Sequence, residues 1–305
     1  MFTPFFTLKV EILIILIHKY ANYKYIFPMA KKIKILIFSK DRPLQLAGVI
    51  DSLNLRCKDF YNCSCTVLYC ATDYKFLYGY LELINQYPNI KFRKEFQFKK
   101  DALNELDNSD HICFLVDDNI FVKDFIMTHG KEALNNNKKA IGISLRLGLN
   151  TNYCYTLNKA QRIPVMNNYR DNILSYTWID EDYDFGYPLE LSSSMYRTAE
   201  LVYLLKKIHF NNPNELESWM STAACAYGPD HPQLLCYRSS RAFSVPVNIV
   251  QNIYKNKAGK HHQYTVQNLL DFFEKGYRID VAAFYQYTPK ACHEEIDIEK
   301  YLIKP

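Results

Sequence analysis

Asp117, Asp118 and Asn119 follow directly on the apolar run Ile112 to Val116. Adjacent carboxylates at the end of a buried strand can hold a divalent cation, and manganese or magnesium suits such oxygen ligands best. A cation there would bridge the two phosphates of a nucleotide diphosphate and neutralise the charge that builds on a leaving group. The other reading is that these residues cap the helix that follows and favour its positive end. Capping needs only one acid, so the paired acids with Asn119 favour the metal. A second constellation, Trp178 to Pro188, sets Asp180, Glu181, Asp182 and Asp184 among aromatics. Rings can cover the apolar faces of a sugar while acids bind its hydroxyls, and a solvated acidic loop accounts for the run equally well. Asp184, beside Phe185 and Gly186, is the acid of first interest.

These residues need elements to position them. Ile33 to Phe38 is almost continuously apolar and β-branched, Ser39 to Pro43 breaks it, and Pro43 suits the first turn of a helix. Leu44, Ala47 and Ile50, with Leu53 extending the stripe, form that helix's buried face. A second strand is expected over Thr66 to Ala71, followed by a helix with Phe76, Leu77, Tyr80, Leu81 and Ile84 on one face. A short strand at Ile90 to Phe92, a helix over Phe98 to Leu106 and the strand Ile112 to Val116 repeat the plan. Ala140 to Leu145 adds another apolar strand. Such continuous apolar strands alternating with helices predict an α/β fold with a Rossmann-like, mostly parallel central sheet flanked by helices. The acidic pair then sits outside the carboxyl end of a strand, where open α/β sheets bind ligands. Beyond about residue 150 the pattern loosens, with a strand expected over Leu189 to Tyr196 and helices over Ala199 to Ile208 and Asn214 to Ala223.

The 305 residues can bury a sizeable core, and no repeat or long linker divides them. The formal charge of +5 comes from scattered Lys and Arg, without the dense basic stripe of a nucleic-acid binder. Nine cysteines lack the spacing of a zinc site, and they read as free thiols of a cytoplasmic protein, several of them buried in strands. Ile12 to Ile17 is too short to cross a bilayer and carries no signal-peptide pattern. A helix making peripheral membrane contact is one reading of this segment. Residues 1–28 are otherwise expected to be a dispensable extension.

With these pieces in order, the chain resembles glycosyltransferase family 2 and its GT-A relatives. The resemblance covers about residues 32–295. It rests on Ile37 to Pro43 at the first strand, Phe114 to Asn119 at the place of the family's DxD motif, and Pro246 to Gln251 farther on. This DxD ends in Asn119 where the family has Asp, so Asp118 leads as metal ligand, then Asp117. The resemblance implies that residues 29–150 bind a nucleotide-sugar donor, UDP-sugar favoured, and that residues 151–305 form the acceptor side of the same domain. It places Ser39, Asp41, Arg42 and Asp73 around the nucleoside, although a plain surface turn explains Asp73 as well. Lys99 or Lys100 could meet the donor phosphates, or simply solubilise a helix.

An inverting transferase needs a base for the acceptor hydroxyl. Family members carry an acid for this at a helix start on the acceptor side, which Asn212-Pro213-Asn214-Glu215-Leu216-Glu217 resembles. Glu217 is the first choice and Glu215 the second, against the reading that both merely favour the helix dipole. His293 resembles the late histidine that adds a metal ligand in several related families, and lone histidines are more often structural. Lys255 and Lys257, with His261 and His262 nearby, resemble a loop that folds over the diphosphate, or are only a basic loop. The partners implied are a nucleotide-sugar donor and a glycan or other hydroxyl-bearing acceptor. A sugar nucleotidyltransferase is the rival enzyme, disfavoured because Ser39 to Pro43 has no glycine. A catalytically silent nucleotide-sugar or glycan binder is the rival from another class.

Overall fold

The computed structural model describes residues 33–106, 109–248 and 264–304. The segment 1–28, Lys255, Lys257, His261 and His262 lie outside the described residues. All the described residues fall within one unit, Lys32–Pro305.

The strand β1 (Ile33–Lys40) pairs in parallel with β2 (Cys63–Cys70) on one side and β4 (His111–Val116) on the other, while β3 (Lys91–Lys94) extends the sheet beyond β2. Ile33, Ile35 and Ile37 pack on one face with Leu46 and Ile50 of helix α1 (Pro43–Arg56). Leu36 and Phe38 pack on the other face with Phe98 and Ala102 of helix α3 (Phe98–Leu106). Covering both faces requires side chains of both parities to be apolar, which is why β1 reads as a continuous run. Truncating fully buried Ile35 to Ala would cost about 2–5 kcal/mol.

Helix α2 (Tyr74–Gln86) turns most of the expected face inward, with Leu77 packed against the core and Leu81 the exception. It buries Phe76, Gly79, Tyr80 and Leu83, and leaves Leu81 42% exposed. The reason is at Gly79, where a Cβ would come within 2.6 Å of Pro43 Cγ. The missing side chain lets α2 approach the start of α1, and that approach sets which face turns inward.

After β4 the chain makes a two-residue turn into β5 (Asn119–Phe121), then helix α4 (Met127–Asn136) and β6 (Ala140–Ser144). The hairpin of β7 (Tyr153–Cys154) and β8 (Lys159–Ala160) precedes β9 (Asn167–Arg170) and β10 (Ile173–Thr177). Next come β11 (Ser194–Arg197), helix α5 (Thr198–Lys207), helix α6 (Pro213–Tyr227), β12 (Gln233–Tyr237) and β13 (Ala242–Ser244). The central sheet runs β3-β2-β1-β4-β11-β6-β12-β10-β9. Only β11 and β10 run against the other strands, so the expected mostly parallel sheet flanked by helices is present.

The strand expected over Leu189 to Tyr196 is shorter, beginning at Ser194. Upstream the backbone wraps around the carboxylate of Glu190. That carboxylate accepts hydrogen bonds from the N–H and hydroxyl of Ser192 and from the hydroxyl of Ser194. Ser193 has φ 84, a left-handed conformation incompatible with regular strand.

Candidate active site

The carboxyl ends of β1, β4 and β6 open into a cleft of about 1050 Å³. Ser39, Arg42, Asp117 and Asp118 line one side, and Arg146, Asp184, Glu217 and His293 also border it. This is the crevice that strand polarity predicts for an open α/β sheet.

The acidic pair divides into two different environments. Asp117 is 3% exposed, and its carboxylate accepts from the Lys40 N–H at 3.0 Å and from Arg42 Nη1 at 2.9 Å. Arg42 in turn reaches Asn248, donating from Nε to its side-chain oxygen at 2.8 Å and from Nη2 to its carbonyl. Asp118 keeps more freedom. Its nearest cation is Arg42 Nη1 at 3.7 Å from Oδ2, and Oδ1 is buried with no hydrogen-bond partner. Burial is the largest effect on the Asp118 carboxyl and pushes it up to about 6. Arg42 opposes that rise, the Asp117 charge adds to it, and the nearby Ser244 hydroxyl eases it.

Asn119 is not brought to the cleft. Its oxygen accepts from the Val116 N–H at 2.9 Å and its nitrogen donates to Ser244 Oγ at 2.8 Å, so it ties the turn between β4 and β5. Ser244 also connects this turn to His293: its N–H donates to the Cys292 carbonyl, and its carbonyl accepts from the Glu294 N–H. Burial first, and the Arg146 charge second, hold the His293 imidazole down at about 3 and hence neutral, the form able to ligate.

On the acceptor side, α6 begins with Asn212 as its cap. The Asn212 side chain accepts from the Glu215 N–H at 2.9 Å, and the Glu215 carboxylate accepts from the Asn211 N–H at 2.8 Å and from Asn212 Nδ2 at 2.9 Å. Glu215 is therefore occupied in a capping box. Two residues on, Glu217 faces the cleft, with Oε1 accepting from the Leu191 N–H at 3.1 Å. Burial raises its pKa, Arg146 lowers it, Glu190 raises it and the Leu191 bond lowers it, with a net upward shift. Asp184 is also shifted upward, chiefly by burial, with Arg146 and the Gln161 amide opposing.

Ser39 and Tyr80 share a hydrogen bond of 2.7 Å beneath the cleft wall. Asp41, Asp73 and Lys99 do not line the cleft, and each makes contacts within the fold. Asp41, at φ 55, accepts from the N–H and hydroxyl of Thr72, each at 2.8 Å, which staples the β1–α1 turn to the end of β2. Asp73 caps α2 by accepting from the Lys75 N–H at 2.7 Å. Lys99 donates to the Ile208 carbonyl at 2.6 Å, just past the end of α5. It lines a second groove with Lys100 and Lys206 that meets the cleft at Glu95, Phe98 and Asn211.

Arg146, which lines the cleft, and Glu190, buried behind it, escape sequence reasoning. Arg146 is a lone buried cation beyond the end of β6, and Glu190 is a lone acid in the apolar segment Pro188 to Leu191. Isolated charges in apolar runs were the available signal, since buried charges need partners. Here they partner each other, with Nε to Oε2 at 3.5 Å.

No family model matches the chain. In sequence it is similar to the bifunctional glycosyltransferase pgtA of Dictyostelium discoideum, 26% identical over an alignment of 253 residues that covers 73% of this chain and 33% of that protein. In sequence, then, the chain is similar to a glycosyltransferase. The likeness expected from the motifs at β1 and β4 is thus found in a comparison of whole sequences, although the chain spans only about a third of that relative's length. Among solved structures, Staphylococcus aureus TarS matches over 70% of this chain and 36% of its own, at 14% identity and a TM-score of 0.46. TarS 1-349 in complex with UDP-GlcNAc matches over 78% and 65%, at 12% identity and a TM-score of 0.46. The bifunctional WbbM in its apo form matches over 68% and 46%, at 12% identity and a TM-score of 0.34. Among the described residues no helix is long and apolar enough to cross a membrane.

Proposed function

We propose that this chain is a GT-A type glycosyltransferase that moves a sugar from a nucleotide diphosphate donor, a UDP-sugar favoured, onto a hydroxyl of a glycan or similar acceptor with inversion. The observation that carries this reading is the sharing of one cleft by Asp118, a carboxylate with an unpartnered buried oxygen, and Glu217, a carboxylate oriented by a backbone N–H. The glycosyltransferase relative supports the same reaction class.

The residues fit a manganese or magnesium ion. Asp118 Oδ1 has no hydrogen bond to give up, and the neutral His293 borders the same cleft. Among the described residues no three His, Cys, Asp or Glu side chains gather around one point. The donor's phosphate oxygens would therefore complete the coordination, as is usual for magnesium sites. When bound, the ion supplies Lewis-acid stabilisation of the departing diphosphate. Asp117, already neutralised by Arg42, fixes the β1 loop on which the nucleoside would rest.

Leu191 engages Glu217 Oε1, which leaves Oε2 for the acceptor. The acceptor oxygen attacks the anomeric carbon from the face opposite the diphosphate, and its proton passes to Glu217. The bond from that carbon to the diphosphate oxygen breaks, with the electron pair leaving on the oxygen. A carboxyl shifted upward suits this role, because a base works best with a pKa nearer the working pH. Tyr155, Tyr183 and Tyr187 line the cleft and would cover acceptor sugar faces. The groove along Lys100 and Lys206 gives a longer acceptor a path outward.

The test is a thermal-shift screen of nucleotide sugars with and without manganese, paired with release of the nucleotide diphosphate. Manganese-dependent stabilisation by one donor with slow hydrolysis is expected. Stabilisation without any turnover, even with a panel of glycan acceptors, would mark a silent binder and sink the transferase reading.

A further inference from the structure

We propose that Arg146 and Glu190 act together as the positioning pair for Glu217, an inference that rests on Glu217 being the base. Their side chains are 4% and 2% exposed, and charges buried so completely need partners. The partners lie in the loop from Glu190 to Ser194. Glu190 gathers the Ser192 N–H, the Ser192 hydroxyl at 3.0 Å and the Ser194 hydroxyl. Arg146 Nη1 donates to the same Ser192 hydroxyl at 3.0 Å. Ser192 is thus held by both ions. The peptide N–H immediately before it, that of Leu191, is the one that holds Glu217 Oε1 at 3.1 Å.

The backbone on either side is anchored, Glu190 by the Tyr196 hydroxyl and Ser193 by Phe114 and Leu145, so the ion pair acts on the Leu191–Ser192 step between them. Holding Ser192 through two buried ions fixes the direction of the adjacent Leu191 N–H, which is what a reacting carboxylate needs from its surroundings. The pair also sets the charge around Glu217. Arg146 favours its ionised form, and Glu190 disfavours it. Tyr187 from the acidic-aromatic loop also interacts with Glu217, and Asp184 from that loop faces Arg146. The clamped residue, Ser192, is the immediate neighbour of the backbone donor that Glu217 uses.

The experiment measures the pH profile of kcat on the full chain with donor and a confirmed acceptor, alongside UDP affinity. Arg146→Gln should move the acid limb to higher pH, because the cation that favours ionised Glu217 is gone. Glu190→Gln should move it to lower pH, because a like charge is gone while the carboxamide oxygen still accepts from Ser192. Each unit of movement changes the rate about tenfold at pH values below the limb. UDP affinity should hold in both, and Arg146→Lys should restore the wild-type limb. Equal losses of kcat with the limb unmoved, or a loss of UDP affinity matching the loss of kcat, would overturn the proposal. Should either ion variant fail to fold, Ser192→Ala removes only the clamped hydroxyl, and it should lower kcat several-fold with the donor KM unchanged. An unchanged kcat in Ser192→Ala would equally overturn it. Failure of the base reading shows separately, as normal transfer by Glu217→Gln.

Discussion

Arg42 Nη1 lies 2.9 Å from Asp117 Oδ1, with the two side chains 8% and 5% exposed, so the protein itself supplies the cation for the first acid of the pair. Removing the guanidinium would leave a buried, uncompensated carboxylate and free the Asn248 contact as well. Arg42→Ala is therefore expected to lose about 3–5 kcal/mol in urea unfolding, the usual scale for breaking a buried ion pair from one side. Asp117→Asn keeps a hydrogen-bonding oxygen and should lose less. An Arg42→Ala protein as stable as wild type would show that Asp117 does not depend on this guanidinium.

Asp118 should behave in the opposite way. Its carboxyl lies at about 6 in the folded chain against an ordinary 3.8, so the native state binds the proton more tightly and ionisation lowers stability as pH rises through that window. Without metal, Asp118→Asn should gain on wild type between about pH 4 and 6, by up to about 3 kcal/mol at neutral pH. The same variant should lose manganese-dependent UDP binding in calorimetry. In wild type that binding should weaken about tenfold per unit below pH 6, where a proton competes with the ion. Wild-type-like UDP and manganese binding by Asp118→Asn or Asp118→Ala would remove Asp118 from the metal site.

Glu217 and Glu215 stand two residues apart in sequence and should separate cleanly in function. Glu217→Gln should keep donor binding and lower transfer by about a hundredfold or more. Glu215→Gln should transfer normally, since its carboxylate is engaged by Asn211 and Asn212. If Asp184→Asn abolishes transfer and Glu217→Gln does not, the proton is taken by the acidic-aromatic loop instead.

Caps make a further contrast. Asp73→Ala and Glu215→Ala each remove a partner at a helix start and should lower stability by about 1 kcal/mol, read as a lower melting temperature. Neither should change UDP affinity at a temperature where the protein is folded. A selective loss of UDP binding in Asp73→Ala would return that residue to the nucleoside site.

The sequence alone determined what depends on local periodicity and on strand ends. The apolar runs at β1, β4 and β6 fixed which segments lie in the sheet, because strands covered on both faces admit few polar residues. Pro43 and the Asn-Pro-Asn run marked the starts of α1 and α6, since caps and first-turn prolines act through neighbours in sequence. The acidic pair could likewise be placed at a carboxyl end before any coordinates. Only the tertiary structure decided what each charge does. Asp117 and Asp118 are adjacent and chemically identical, and they differ because Arg42, 75 residues upstream of Asp117, reaches one more closely than the other. Glu215 and Glu217 differ because one turns back to the helix cap and the other meets the Leu191 N–H from a distant loop. Arg146 and Glu190, 44 positions apart in the numbering, are silent in any local pattern, since a buried charge is explained only by the partner that folding brings to it.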